Sequence, residues 1–256
     1  MTGCTYDSGQ VLIGEFIMQT MQSSQIEPPS GTVVRRWSEI EFERLCETGI
    51  FGDDDVRWCD GTILNNTAPH EPIRWSLDRY FRLDELGFLN REPVQLIDGE
   101  IVVMLPLNPP HQIGVQLVDD AMRAIFTTGY RVRNGAPLII GTSAPQPDIA
   151  VVRGGVRSHA ITHPTGLATL IVIEVGDSTL RDDIGPMANL YASGGVTDYW
   201  VIDLVHDQLR VFRDPQPDAN ELHGHRYTNI TIQLAGSQIS PLALPNSSIL
   251  IDDVLV

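Results

Sequence analysis

Two acids stand where apolar strands would not ordinarily carry charge. Asp148 follows Pro147 and opens the run Ile149–Val152, and Glu174 sits near the end of LIVIEV. Burying a carboxylate costs several kcal/mol unless it is paired or binds a metal. The two runs are alike in length and composition, which fits neighbouring strands with both acids converging at one end. Such a pair can hold a hard divalent cation, because Mg²⁺ takes one or two carboxylates and completes its shell with water and phosphate oxygens. The alternative is structural: Asp148 shapes a turn after Pro147, and Glu174 pairs with an arginine. Arg131 and Arg133 alternate onto one strand face and, with Arg153 and Arg157, could line a phosphate track or simply be surface charge. There is no Gly-rich phosphate loop, no G-x-S-x-G and no zinc-ligand spacing.

The elements that would position these groups follow from patterning. PVQLIDGEIVVMLPL reads as a hairpin about an Asp-Gly turn. PPHQIGVQLVDDAMRAIFTTG reads as an amphipathic helix whose first turn holds Pro109, Pro110 and His111. His111 there can face a cleft or serve as a polar helix start, and Glu100 reads as a hairpin residue open to solvent. YRVRNG, APLIIG, QPDIAVVR and ATLIVIEVGD read as strands. DDIGPMANLYASGG reads as one helix started by Asp182 or Asp183, and TDYWVIDL with QLRVFR as a second hairpin. Strands and helices are mixed, so the class is α/β or α+β with a mixed sheet.

Upstream lies an internal repeat. Residues 35–63 align without gaps onto 73–101 at a shift of 38, matching Arg36/Arg74, Trp37/Trp75, Ser38/Ser76, Leu45/Leu83, Gly49/Gly87 and Asp60-Gly61/Asp98-Gly99. Each copy reads as a Ser-capped helix followed by a hairpin. The copies differ at one position of chemical interest, Thr62 against Glu100. The organisation expected is an extension over 1–33, a duplicated partial copy over 34–72, and the main domain over 73–256.

Composition narrows the function classes. Seventeen basic residues face 33 acidic ones, for a net charge of −16. That disfavours a generic polyanion binder, whose affinity rests on neutralising phosphates, but leaves room for a local basic groove. All 17 basic residues are Arg, so no step can use a lysine ammonium. Three cysteines, odd in number and without ligand spacing, point to a reducing, cytoplasmic setting. The N-terminus is a poor match to a signal peptide, and no apolar run reaches 18 residues, so no membrane span is expected.

The order of motifs goes further than any one of them. LIDGEIVVMLPLNPPH, PDIAVV, IVIEVGDST and LYASGGVTDYWVID occur in one line. This arrangement resembles the Uma2 family, bacterial proteins with a restriction-endonuclease-like fold of the PD-(D/E)xK kind, over roughly residues 74–213. The resemblance implies a mixed central sheet flanked by helices and a Mg²⁺- or Mn²⁺-dependent endonuclease hydrolysing DNA phosphodiester bonds. Asp148 and Glu174 would be the metal ligands, with Glu100 and His111 as neighbouring site residues. A homodimer is compatible with that reading. The family pattern also places a Lys four residues before the Tyr of the following helix. With Tyr191 as that Tyr, the slot holds Met187. Arg181 is the nearest cation in sequence; it could stabilise charge on a phosphate but not act as a base. The resemblance therefore carries two functional readings: an active nuclease, or a catalytically degenerate member serving as a binding or assembly module.

Overall fold

The computed structural model describes residues 4–6, 33–68, 71–90 and 92–256. The proposed extension over 1–33 lies almost wholly outside them. The chain divides into two compact units, and the division falls after Met104, so the second copy of the repeat groups with the first.

The first unit contains β1 (Cys4–Tyr6), β2 (Val33–Val34), α1 (Glu39–Glu47), β3 (Val56–Cys59), β4 (Thr62–Asn65), α2 (Leu77–Glu85), β5 (Val94–Ile97) and β6 (Glu100–Val103). Ser38 caps α1 by accepting from the Glu41 N–H, and Glu41 returns the bond in a capping box; Ser76 caps α2 through the Arg79 N–H. Both hairpins turn on Asp-Gly with positive φ at both residues, 45° and 82° at Asp60 and Gly61, 50° and 78° at Asp98 and Gly99. That conformation suits the twist of a two-residue hairpin. Leu45 and Leu83, equivalent in the repeat, are both fully buried. The cysteine reading is revised at one position: an odd count still allows one pair, and Cys46 is disulfide-bonded while Cys59 is free.

The second unit is built on a six-stranded mixed sheet. Its elements are α3 (Pro109–Ile125), β7 (Tyr130–Asn134), β8 (Ile149–Arg153), β9 (Thr169–Gly176), α4 (Leu180–Asp183), α5 (Pro186–Ser193), β10 (Asp198–Asp203), β11 (Gln208–Pro217), β12 (His225–Gln233), β13 (Gln238–Ile239) and β14 (Ile249–Leu250). The strand order is β12-β11-β10-β9-β8-β7. Only β9 and β10 run parallel, and the α4–α5 segment supplies the crossover that a parallel pair needs. This is the expected mixed central sheet flanked by helices.

Alternation sorts each strand onto two faces. Val132, Ile149, Val151, Ile171, Ile173, Val175, Trp200 and Ile202 point to one side and join Val118 and Met122 of α3 in the main core. The opposite side carries Glu174 and Tyr199, with Tyr191 of α5 packed on Tyr199 at a ring-centroid separation of 5.0 Å.

Two sequence expectations change. APLIIG forms no strand: Ile139 and Ile140 make only isolated bridges, in a loop folded by the Ile140–Ser143 turn. DDIGPMANLYASGG is two helices, broken at Ile184–Gly185. Pro186 opens α5 and disfavours helical conformation in the residue before it. Neither Asp182 nor Asp183 caps α5.

At the far end of β10, Asp203 is fully buried and accepts from Arg210 Nε (2.7 Å), Gln208 Nε2 and His206. Burial alone would raise its pKa, but the hydrogen bonds from Gln208, Arg210 and His206 outweigh it and hold the pKa at about 2. The folded value lies below the unfolded one, so the stabilisation is complete above about pH 4 and is lost as pH falls towards 2. Asp203→Asn is expected to lower stability at pH 7 by about 2 kcal/mol, with the deficit vanishing in acid. Urea denaturation of both proteins from pH 7 to 2 measures this.

Candidate active site

The antiparallel register of β8 and β9 sets Ile149 opposite Ile173, which brings Asp148 level with Glu174. The two acids are then tied to each other's strands. The Asp148 N–H donates to Glu174 Oε2 at 2.8 Å, and the Val175 N–H donates to Asp148 Oδ2 at 2.8 Å. The remaining oxygens are held by side chains. His111 Nε2 lies 3.1 Å from Asp148 Oδ1, and the Tyr191 hydroxyl donates to Glu174 Oε1 at 2.7 Å.

Each partner is delivered by its own element. Asn108 caps α3 by accepting from the His111 N–H at 3.0 Å, and its amide binds Asp177 in the loop after β9. This fixes the first turn of α3, so His111 is buried and aimed at Asp148. Gly114 lets α3 approach the sheet, since a Cβ there would stand 3.0 Å from a Val175 methyl. Tyr191 is fully buried on α5.

A third acid completes the cluster. Asp183, on α4, is buried and accepts from the Thr179 hydroxyl at 2.8 Å, while its backbone carbonyl accepts from the Tyr199 hydroxyl at 2.8 Å. Gly176 makes room for it: a Cβ there would lie 2.9 Å from Leu180 and 3.1 Å from Asp183 Oδ2. Sequence reasoning missed Asp183 because it took the acid for a helix cap. The Gly185-Pro186 step was the signal that could have freed it from that role.

The electrostatics are those of crowded carboxylates. Burial, then the charges of Asp148 and Asp183, push the Glu174 carboxyl well above the usual range, against the bonds from Asp148 and Tyr191. Burial, with Asp148 and Asp182, pushes Asp183 up to about 7, although the Thr179 bond and His111 oppose it. Burial would lower the His111 pKa, but the bond to Asp148 and the charges of Asp148, Asp183 and Asp177 carry it upward. Tyr191 is driven upward by burial and by Glu174, so its phenol stays protonated and remains a donor. Among the described residues, no arginine is hydrogen-bonded or ion-paired to Asp148 or Glu174. The structural alternative, an arginine on Glu174, therefore fails.

The other sequence candidates fall as follows. Arg131 and Arg133 lie on edge strand β7, on the sheet face opposite the main core and shared with Glu174. Arg133 pairs with Ala150, two residues past Asp148. Arg133 is half-buried, and desolvation together with Arg131 lowers its pKa. Arg181 is exposed on α4. Glu100 belongs to the first unit, where Arg74 ion-pairs with it at 2.7 Å. Met187 is buried in the first turn of α5, one helical turn ahead of Tyr191 and on the same helix face.

The sequence profile of Uma2, described as "Putative restriction endonuclease", matches residues 77–251. This chain belongs to the Uma2 family. Among solved structures, the Uma2 chain is similar to one titled a putative nuclease belonging to DUF820 from Anabaena variabilis. They share 15% identity and a TM-score of 0.53, over 72% of this chain and 97% of that one. That likeness shows the restriction-endonuclease-like fold. No curated protein matches the chain.

A buried acid whose pKa is raised weakens folding above the unfolded pKa, so removing its charge should help most at high pH. Glu174→Gln in this Uma2 protein is expected to raise stability at pH 8 by on the order of 1 kcal/mol, with the gain shrinking towards pH 5. Thermal unfolding at both pH values measures it; a loss of stability at pH 8 would mean that Glu174 is a structural acid like Asp203.

Proposed function

We propose that this Uma2 protein is a divalent-metal-dependent nuclease that hydrolyses DNA phosphodiester bonds, with Asp148 and Glu174 holding Mg²⁺ or Mn²⁺. The observation that carries this reading is the mutual grip of the two carboxylates at the ends of β8 and β9, with no arginine among the described residues bonded to either. The donor chemistry fits. Both groups are hard oxygen donors, each ionised oxygen keeps a lone pair beyond the bond it accepts, and their mutual repulsion is what a dication would relieve. Among the described residues, no group of three or more His, Cys, Asp or Glu side chains is arranged to hold a metal by itself. That agrees with an ion completing its shell from water and substrate oxygens, as Mg²⁺ does, rather than with a protein cage.

The chain's own residues divide the remaining work. His111 fixes the rotamer of Asp148 and can present a proton or positive charge beside it. Tyr191 fixes Glu174. Arg131 and Arg133 offer a basic edge on the same sheet face for the phosphate backbone. The bound metal would supply Lewis-acid stabilisation of the phosphate and a lowered pKa for attacking water.

The second reading, a degenerate member acting as a binding or assembly module, has one observation in its favour. The slot for the lysine that would orient water and offset charge holds the buried, apolar Met187.

The test is cleavage of supercoiled and linear DNA with Mg²⁺ or Mn²⁺. Wild type is expected to nick or cut, and to stop on addition of EDTA. Asp148→Ala and Glu174→Ala are expected to lose at least a hundredfold, and Met187→Lys to gain about tenfold, the size of contribution that general acid–base and electrostatic groups make. No cleavage by wild type together with activity in Met187→Lys would establish the second reading. If neither wild type nor Met187→Lys cleaves DNA or binds metal in titration calorimetry, the reading of Asp148 and Glu174 as a metal site is wrong.

A further inference from the structure

The first unit is assembled as a two-fold dimer is, although it comes from one chain. Its elements repeat at the sequence shift of 38 residue for residue: Glu39–Glu47 on Leu77–Glu85, Val56–Cys59 on Val94–Ile97, and Thr62–Asn65 on Glu100–Val103. The internal bonds repeat as well. Trp37 N–H donates to Gly61 O at 2.9 Å and Trp75 N–H to Gly99 O at 2.8 Å; Asn66 N–H donates to Asp55 O and Met104 N–H to Pro93 O.

The two copies exchange their leading segments. Val34, ahead of the first copy, pairs with Val102 of the second, and Arg35 N–H donates to Ile101 O at 2.8 Å. The equivalent residues make the equivalent bonds in return. Pro72, ahead of the second copy, bridges Leu64 of the first, and Ile73 N–H donates to Ile63 O at 2.9 Å. Trp37 and Trp75 meet between the copies at a ring-centroid separation of 5.3 Å, both buried. Residue i meeting j while j meets i is the signature of an isologous, self-complementary interface.

We propose that the face of the second copy bearing Trp75 and the outer edge of β6 is a homotypic docking surface, whose proper partner is another copy of the same αββ module. Residues 33–68 fill it within the chain. The family match begins at residue 77, so the first copy lies outside it. Without the first copy, β6 keeps an unpaired edge and Trp75 loses the rings of Trp37 and Phe51. An open edge beside an exposed aromatic is a template for association. Arg35 reinforces the fit. Buried in the leading segment, it bonds Glu92 at 2.7 Å and Phe88 O at 3.0 Å in the second copy, and Glu41 at 2.8 Å in its own. The first copy is thus an internal partner that occupies this surface and denies it to a second chain.

The test uses the full chain with a protease site placed at exposed Thr67. Cut while folded, the two pieces are expected to travel as one species with the mass of the uncut chain, 28.3 kDa. Trp37→Ala in the cut chain is expected to weaken their retention at least tenfold. Separated in denaturant and refolded alone, the larger piece is expected at twice its own mass, and adding the smaller piece back should return a one-to-one complex. Pieces that part in native buffer on cutting would overturn the proposal. So would a larger piece that stays at its own mass with native circular dichroism. If the larger piece precipitates alone, rescue by the smaller piece supports the proposal and failure of rescue overturns it.

Discussion

Asp148 and Glu174 hold each other through the main chain. Each carboxylate accepts an N–H from the other's strand, so neither can move without breaking the β8–β9 register. Hydrogen bonds to a charged acceptor contribute about 1.5–3 kcal/mol each, which offsets part of the several kcal/mol that burial costs. The rest of the second unit is arranged about this junction. Asn108 sets the first turn of α3 so that His111 meets Asp148; Gly176 and Thr179 seat α4 so that Asp183 reaches the same region; α5 lays Tyr191 on Glu174.

The sheet contains its own controls. Asp198 and Asp203, at the two ends of β10, are as buried as an acid can be, and each has an arginine at 2.7–2.8 Å. Asp198 also accepts from Trp200 Nε1 and the Leu242 N–H. This is how the fold treats an acid it uses to fasten strands. Glu174, one strand away, receives neutral donors and two negative neighbours instead. Among the described residues, arginine stands on both ends of β10 but is bonded to neither member of the acid pair.

Much of this was readable from residue order. Short continuous apolar runs in QPDIAVVR and LIVIEV locate β8 and β9, and the cost of charge in such runs marks Asp148 and Glu174. The helix from Pro109 and both hairpins emerged from turn chemistry and caps, which are local. What escaped was decided at longer range. APLIIG has a strand's composition, but its neighbours offer single bridges rather than a ladder. Asp183 looked like a cap because helix-start statistics are local, whereas its role depends on Gly176 and Tyr199 from two strands. The repeat was legible as similarity, but the exchange of leading segments was not. Nothing in Val34 or Pro72 announces that each pairs with the other copy's hairpin.

The lysine slot is a matter of shape as well as charge. Met187 is buried on the face of α5 that carries Tyr191. An arginine there would have to bring a planar, five-donor head into a space filled by a thioether, and overpacking a closed site typically costs about 1–3 kcal/mol. Lysine and methionine are both unbranched, so a lysine side chain could follow the same path and differ mainly at its tip. With Met187 in place, His111 is the one positively chargeable group bonded to the acid pair among the described residues.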